Sequence, residues 1–277
     1  MKINLLFVKF LENIYQIKYN LIPKKRVGNY KQEFKKIALI LTSPLGYGDL
    51  VMMLPVIKSF KKNFPKSKID LITNLDIFDE IEGIDNICIV KGNKLHIISE
   101  FRRLSKNNYD LGVVLARAVN QSIYLDFLNP KYKIGYLSGY NINSNFKLDT
   151  NNLGFEKEYH FTSNSLNILK SMNLKYNTTF PKIKYTKKTI LESKKIFNSL
   201  NLNKKNKNIF INPYVLWETR RWDEKNYISL IVKLHKKFNF VLYGGPDGKQ
   251  LAQDIEQELL KKGIKIVNVV GKIKLKP

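Results

Sequence analysis

Only one cysteine, Cys88, occurs in the 277 residues, so the chain can form no internal disulfide and a reducing compartment suits it. Its three histidines, His96, His160 and His235, lie far apart, with no H-E-x-x-H and no cysteine cluster beside them. That leaves the common zinc sites without ligands. Asp76-Ile-Phe-Asp79 is not a D-x-D metal clamp; loop or helix capping explains it more simply. No G-x-S-x-G elbow is present, which argues against a serine hydrolase of that kind, and no aromatic-interleaved basic motif of the RRM type appears. No apolar run approaches the roughly 20 residues that span a bilayer. Acids are also scarce: 23 Asp+Glu face 48 Lys+Arg, a net charge of +25. Such a surface attracts polyanions, whether nucleic acid, anionic lipid or a phosphorylated substrate. Abundant Lys, Asn, Ile, Tyr and Phe also fit AT-rich codon usage, so part of the excess has a compositional explanation.

What is there begins with a basic N-terminal stretch. Ile3, Phe7, Phe10, Leu11, Ile14 and Ile17 recur at helical spacing, with Lys2, Lys9, Lys18, Lys24, Lys25 and Arg26 among or after them. An amphipathic helix on an anionic membrane surface and a helix packed on its own domain are both open. Residues 1–35 are set apart as this extension, and no small-residue cleavage site marks them as a signal peptide. Beyond them apolar strands alternate with helical stretches, the βαβ rhythm of a mostly parallel sheet. Strands are expected at 37–42, 69–73, 87–90, 111–115 and 133–136, and helices at 50–63, 96–105 and 164–172. A polar stretch around Pro181 marks the domain boundary, giving domains 36–180 and 181–277. The second should carry helices at 189–200, 223–237 (with Asp223 as N-cap) and 248–261, and strands at 209–211, 240–243 and 264–269. Cys88, inside Ile87–Val90, reads as a small buried residue.

Three stretches carry chemistry. In SPLGYGDLVMMLP, residues 43–55, the G-x-G pair Gly46 and Gly48 ends an apolar run, but Val51 stands where a dinucleotide fingerprint has its third glycine. The two glycines suggest positive φ and close backbone approach. Asp49 then reads either as the N-cap of a helix starting at Leu50 or as a general base at the carboxyl end of the first strand, where open α/β sheets bind ligands. In YGGPDGKQ, residues 243–250, Tyr243 and Gln250 break the P-loop pattern. A glycine-lined strand-turn-helix floor for a nucleotide and a plain loop are both open. In INPYVLWETRRWDEKNY, residues 211–227, Arg220 and Arg221 sit between a strand end and a helix start, where guanidinium groups can meet a diphosphate bidentately or stay solvated. Trp217 and Trp222 flank them, to pack on a base or fill the core.

Taken in order, these stretches resemble glycosyltransferase family 9, the ADP-heptose:lipopolysaccharide heptosyltransferases and their relatives. Gly48-Asp49 and Pro55 fall at the offsets of the family's Leu-Gly-Asp opening. NNYDLGVVLARAVNQS, containing Arg117, resembles its Tyr-Asp-Leu strand, and YKIGY its Arg-Ile-Gly turn. EYHFTSNSLNILKSMNL is similar to its His-containing helix. INPYVLWETRRWDEKNY follows its His-Pro-Gly-x-x-Trp-x-x-Lys-Arg-Trp stretch, VLYGGPDGKQLAQDI its Leu-Gly-Gly-Pro, and NVVGKIKL its Asn-Leu-x-Gly-Lys.

The resemblance implies an α/β chain of GT-B type, two Rossmann-like domains with parallel sheets, the second incomplete. It implies an inverting, metal-independent transfer from an ADP-heptose-like nucleotide-sugar to a lipopolysaccharide core or related surface glycan, with no cofactor. Asp49 takes the catalytic role. Thr219, Arg220, Arg221, Gly244, Gly245 and Pro246 become donor-binding candidates, and Ser43, Gly46, Gly48 and Arg117 acceptor-binding ones. An anionic acceptor suits a +25 protein in the cytoplasm or on the inner face of the cytoplasmic membrane, with no nucleic acid expected. Departures are specific: Asn212 and Tyr214 replace the family's His and Gly, Arg220 its lysine, and Ser43 a basic residue. The chain also stops before the Asp-Ser/Thr-Gly-Pro-x-His segment, so a C-terminally truncated member is expected. A catalytically inactive member that only binds an anionic glycan or glycolipid is the alternative.

Overall fold

The computed structural model describes residues 14, 17, 33–42, 47–76, 78–115, 119–138, 141–144, 166–176, 179–180, 182–215 and 217–273. The chain divides into two compact units, Met1–Lys184 and Tyr185–Pro277. Of the basic N-terminal stretch only Ile14 and Ile17 are described; both are helical and exposed.

The first unit is built on β1 (Lys36–Leu41), β2 (Lys68–Thr73), β4 (Asn86–Ile89), β5 (Leu111–Val114), β6 (Tyr132–Ser138) and β7 (Asn141–Ser144). The sheet order is β4-β2-β1-β5-β6-β7, with only β7 running antiparallel to its neighbour. Ile37, Ala38, Leu39, Ile40 and Leu41 are all fully buried. An unbroken apolar run is what a strand covered on both faces requires, and it explains why β1 takes the centre. From β1 the chain goes to β2 and β4 on one side, then returns to β5 on the other. The carboxyl ends of β1 and β5 therefore form the topological switch point of the sheet.

Helix α1 (Tyr47–Asn63) follows β1, and Leu50, Met53, Leu54, Ile57 and Phe60 bury its inner face at helical spacing. Helix α2 (Lys94–Ser105) is capped by Asn93, whose side chain accepts the His96 N–H at 3.0 Å, and it buries Ile97, Phe101 and Leu104. The antiparallel edge strand β7 was not anticipated, nor were two further features. Helix α3 (Val119–Leu128) connects β5 to β6, yet its buried residues include Gln121 and Ser122, so its inner face does not read as an apolar stripe. A two-stranded antiparallel sheet pairs β3 (Glu80–Ile81) with β8 (Ile183–Lys184) just before the second unit. The helix expected at 164–172 spans α4 (Asn167–Ser171) among the described residues.

A polar network closes the amino end of the sheet. The Tyr109 hydroxyl donates to Asp70 Oδ2 at 2.7 Å, Asn86 donates to Asp70 Oδ1 at 2.7 Å, and Asn107 donates to the Tyr109 oxygen at 3.1 Å. Burial, reinforced by the bond to Asp70, pushes the Tyr109 hydroxyl well above its ordinary titration range. Cys88 is half-buried rather than fully enclosed; desolvation first, and the nearby Asp70 charge second, raise its thiol pKa.

The second unit has β9 (Lys207–Ile211), β10 (Phe238–Leu242) and β11 (Val267–Asn268), all parallel in the order β11-β10-β9. Helix α5 (Lys187–Ser199) opens at Thr186, which accepts the Thr189 N–H at 3.2 Å. Helix α6 (Glu224–Leu234) has Asp223 as its N-cap, as the sequence predicts, and α7 (Lys249–Lys261) follows β10. Ile231, Phe240, Leu242, Ala252, Ile255 and Leu259 form the core. The strand expected over 264–269 shrinks to β11, because the chain is still turning through Gly263 at φ 73° and only Val267 and Asn268 pair with β10.

Two strand glycines let α3 close onto the first sheet. A Cβ on Gly112 would overlap Leu125 Cδ1 and stand 2.6 Å from the rigid ring carbon Pro130 Cγ; one on Gly135 would overlap the Ser122 hydroxyl. Gly112→Ala is expected to cost about 1–3 kcal/mol through overpacking, measured as a lower unfolding midpoint in denaturant.

Candidate functional site

Asp49 lies at the carboxyl edge of the first sheet. The helix begins at Tyr47, not Leu50, so Asp49 is the third residue of α1 and not its N-cap. A first-turn acid still interacts favourably with the open N–H end of the helix. The residue is half-buried, while Tyr47 and Gly48 before it and Val51 after it are exposed, so this turn borders solvent. Gly48 lies in the helix, its φ is not positive, and a Cβ on it would have nothing within 4 Å. The expectation of a strained, closely approached glycine there is therefore overturned; α-helical backbone accommodates any residue at that position. Ser43, Gly46 and Arg117 lie outside the described residues.

The end of β1 is fixed by a side chain that the sequence did not single out. Gln121, on α3, accepts the Thr42 N–H at 3.2 Å and donates to the Thr42 carbonyl at 2.7 Å. No pattern in the sequence separates this buried glutamine from a surface one.

In the second unit three loops meet at the carboxyl ends of β9, β10 and β11. The first, after β9, forms a tight turn in which Asn212 Oδ1 accepts the Tyr214 N–H at 3.3 Å. It continues through the 3₁₀ turn Glu218–Arg220, so Thr219 and Arg220 lie in that turn and are exposed. The second holds Gly244 at φ 153°, a conformation reserved for glycine, where a Cβ would also meet Asn212 Oδ1 at 2.8 Å. Gly245 is exposed with open space above it, and Pro246 begins a 3₁₀ turn that feeds α7. The third loop closes on the second through Gly271, whose N–H donates to the Gly244 carbonyl at 3.0 Å. The strand-turn-helix reading of 243–250 holds.

The arginine pair divides. Arg221 Nε donates to the Val215 carbonyl at 2.8 Å, its guanidinium sits 4.6 Å from the Tyr214 ring centroid, and it pairs with Glu218 at 3.6 Å. That guanidinium braces its own loop. Arg220 is exposed, and its side chain has no partner among the described residues. Tyr214, which replaces the small residue of the related motif, packs its Cβ so tightly against Gly248 that a Cβ there would approach within 2.7 Å. Trp217 is 64% exposed and does not fill the core; Trp222 is also exposed and meets Tyr227 edge-on at 4.9 Å. Among the described residues no group of three or more His, Cys, Asp or Glu is placed to hold a metal ion.

Residues 97–277 match glycosyltransferase family 9 (heptosyltransferase). This chain belongs to that family. It is 23% identical over 217 residues to lipopolysaccharide heptosyltransferase 3 of Escherichia coli (strain K12), a match covering 74% of this chain and 62% of that protein. The chain thus spans less than two thirds of the curated relative's length. The fold is shared with a family 9 glycosyl transferase from Veillonella parvula DSM 2008, at TM-score 0.72 and 15% identity over 90% of this chain and 74% of that one. It is shared too with the E. coli ADP-heptose lps heptosyltransferase II, at TM-score 0.63 and 16% identity over 87% of this chain and 74% of that one. The α/β class with parallel sheets, expected from the sequence, is the fold observed.

The two arginines should separate in a stability measurement. Arg221→Ala loses the ring contact and the carbonyl bond and should cost about 1 kcal/mol in denaturant unfolding, since the exposed Glu218 pair adds little. Arg220→Ala should leave the unfolding midpoint unchanged.

Proposed function

We propose that this chain is an inverting glycosyltransferase of the heptosyltransferase kind, moving a sugar from an ADP-heptose-like donor to a lipopolysaccharide core or related anionic surface glycan. The observation that carries this reading is the position of Asp49: a carboxylate in the first turn of the helix after the central strand, beside the switch point of a family 9 chain. Asp49 removes the proton from an acceptor hydroxyl as that oxygen attacks the anomeric carbon from the side opposite the leaving group. The new carbon–oxygen bond forms, the bond to the nucleotide diphosphate breaks, and its electron pair leaves with the diphosphate, which inverts the anomeric configuration. Arg220, exposed and unpaired among the described residues, supplies charge to that leaving diphosphate. Thr219, Gly244, Gly245 and Pro246 line the same carboxyl edge of the second sheet and are the donor's remaining contacts. The backbone approach at Gly244 and Gly245 favours a nucleotide or its ribose.

In this reading arginine does what a divalent cation does in metal-dependent transferases, so no metal is required. The net charge of +25 supports an anionic acceptor and work at the inner face of the cytoplasmic membrane.

The test is ADP release from ADP-heptose with a lipopolysaccharide core acceptor. Asp49→Asn should lower kcat by about 10²–10⁴-fold while the thermal unfolding midpoint is kept; undiminished turnover removes the base assignment. Arg220→Ala should raise the donor KM and lower kcat, and a chelator such as EDTA should leave the rate unchanged.

A further inference from the structure

The sheet of the second unit is apolar on both faces. On one, Ile209, Phe240 and Leu242 pack with Ile231 of α6 and Ile255 of α7. Side chains alternate along a strand, so Phe210, its register partner Val241, and Tyr243 look the other way. Phe210 and Tyr243 are exposed there, and their rings meet edge-on at 6.2 Å. Phe197 of α5 continues the row, 6.5 Å from Phe210 and exposed as well. Helix α5 buries none of its residues. At about 3.6 residues per turn, Ile190, Leu191 and Phe197 share one half of its surface with Lys187, Lys188, Lys194 and Lys195. All of these are exposed, Leu191 by 58%, whereas Thr189, Glu192 and Ile196 on the other half are half-buried. Over residues 187–207 Glu192 is the one acid against seven lysines, and it pairs with Lys188 at 4.0 Å.

Large apolar side chains set among cations match the headgroup layer of an anionic bilayer. Apolar chains enter the acyl boundary there, while lysine stems snorkel and their ammonium groups meet lipid phosphates. A nucleic acid backbone would satisfy the lysines but leave Ile190 and Leu191 in water. We propose that α5 and the adjoining aromatic row form the face by which this protein lies on an anionic phospholipid membrane. The inference rests on the reading of a protein that works at a membrane, and is independent of Asp49 as the base.

The test is co-sedimentation of the full chain with vesicles of phosphatidylcholine, alone or mixed with an equal share of phosphatidylglycerol. Binding is expected to the mixed vesicles only, and should weaken as salt screens the lysines. Ile190→Asn with Leu191→Asn should weaken it at least about ten-fold, since both side chains enter the acyl boundary. Lys194→Gln with Lys195→Gln should weaken it about 10–30-fold, each lysine near such a surface being worth about five-fold. The same charge removed beside the other face, Lys233→Gln on α6 with Lys262→Gln after α7, should change binding by less than about three-fold. All these side chains are exposed, so the variants should keep the parent's unfolding midpoint. Leu191→Trp should bind at least as tightly as the parent, because indole favours the headgroup level. Binding unaltered in the asparagine pair overturns the inference, as does an equal loss from the Lys233 and Lys262 pair. Tighter binding to duplex DNA than to mixed vesicles at equal phosphate concentration overturns it in favour of nucleic acid. Dimers that the asparagine pair abolishes, without vesicle binding, overturn it in favour of a second copy. If the parent binds neither vesicle, the membrane reading fails together with this inference; if it binds and the asparagine pair binds equally, only the assignment of this face fails.

Discussion

At Thr42 a central strand runs out of neighbours while its backbone is still fully buried, and one glutamine amide satisfies both of its polar groups. An orphaned buried N–H or C=O costs about 1–3 kcal/mol, so the strand end needs this partner or an equivalent. The need arises from the sheet order. The strand order makes the ends of β1 and β5 the switch point, and beyond Ile40 and Leu115 no backbone bond between the two strands follows among the described residues. The strand end therefore depends on a side chain from the next crossover. Gly112 and Gly135, whose missing side chains let α3 close on the sheet, bring Gln121 within reach.

The second unit meets a related problem differently. Its loops at the carboxyl edge are held by contacts between side chains and backbone: Asn212 on Tyr214, Arg221 on Val215 and on the Tyr214 ring, Gly271 on Gly244. Tyr214 is central, since it lies against Gly248 and also carries the guanidinium of Arg221. Arg221 braces the loop, whereas the Arg220 side chain is exposed and has no partner among the described residues. Two adjacent residues of one type thus take different roles, decided by which of them finds a ring and a carbonyl.

Much of this architecture could be read in advance. The run Ile37–Leu41 is apolar without a break, and that pattern belongs to a parallel strand buried on both faces. Leu50, Met53, Leu54 and Ile57 recur at the helical period, and Asp223 caps its helix as its type and place suggested. Asp49 and the arginine pair were legible because carboxylates and guanidinium groups at strand-to-helix turns are uncommon enough to notice. Helix α3 was missed because Gln121 and Ser122 interrupt its apolar face, and hydrophobic periodicity assumes that buried residues are apolar. The N-cap reading of Asp49 failed because the helix starts earlier, at Tyr47, and the positive φ expected of Gly48 failed for the same reason.

By itself the sequence determined the alternation of strands and helices and the charged residues at the strand ends. These follow from local periodicity and residue type, which are properties of short stretches of chain. Tertiary structure alone decided that Gln121 holds Thr42 across 79 positions of sequence, and that Arg221 is engaged while Arg220 is not. Hydrogen bonds and ring contacts of that kind depend on which crossovers lie side by side, and strand order across a switch point is set by the packing of the whole sheet.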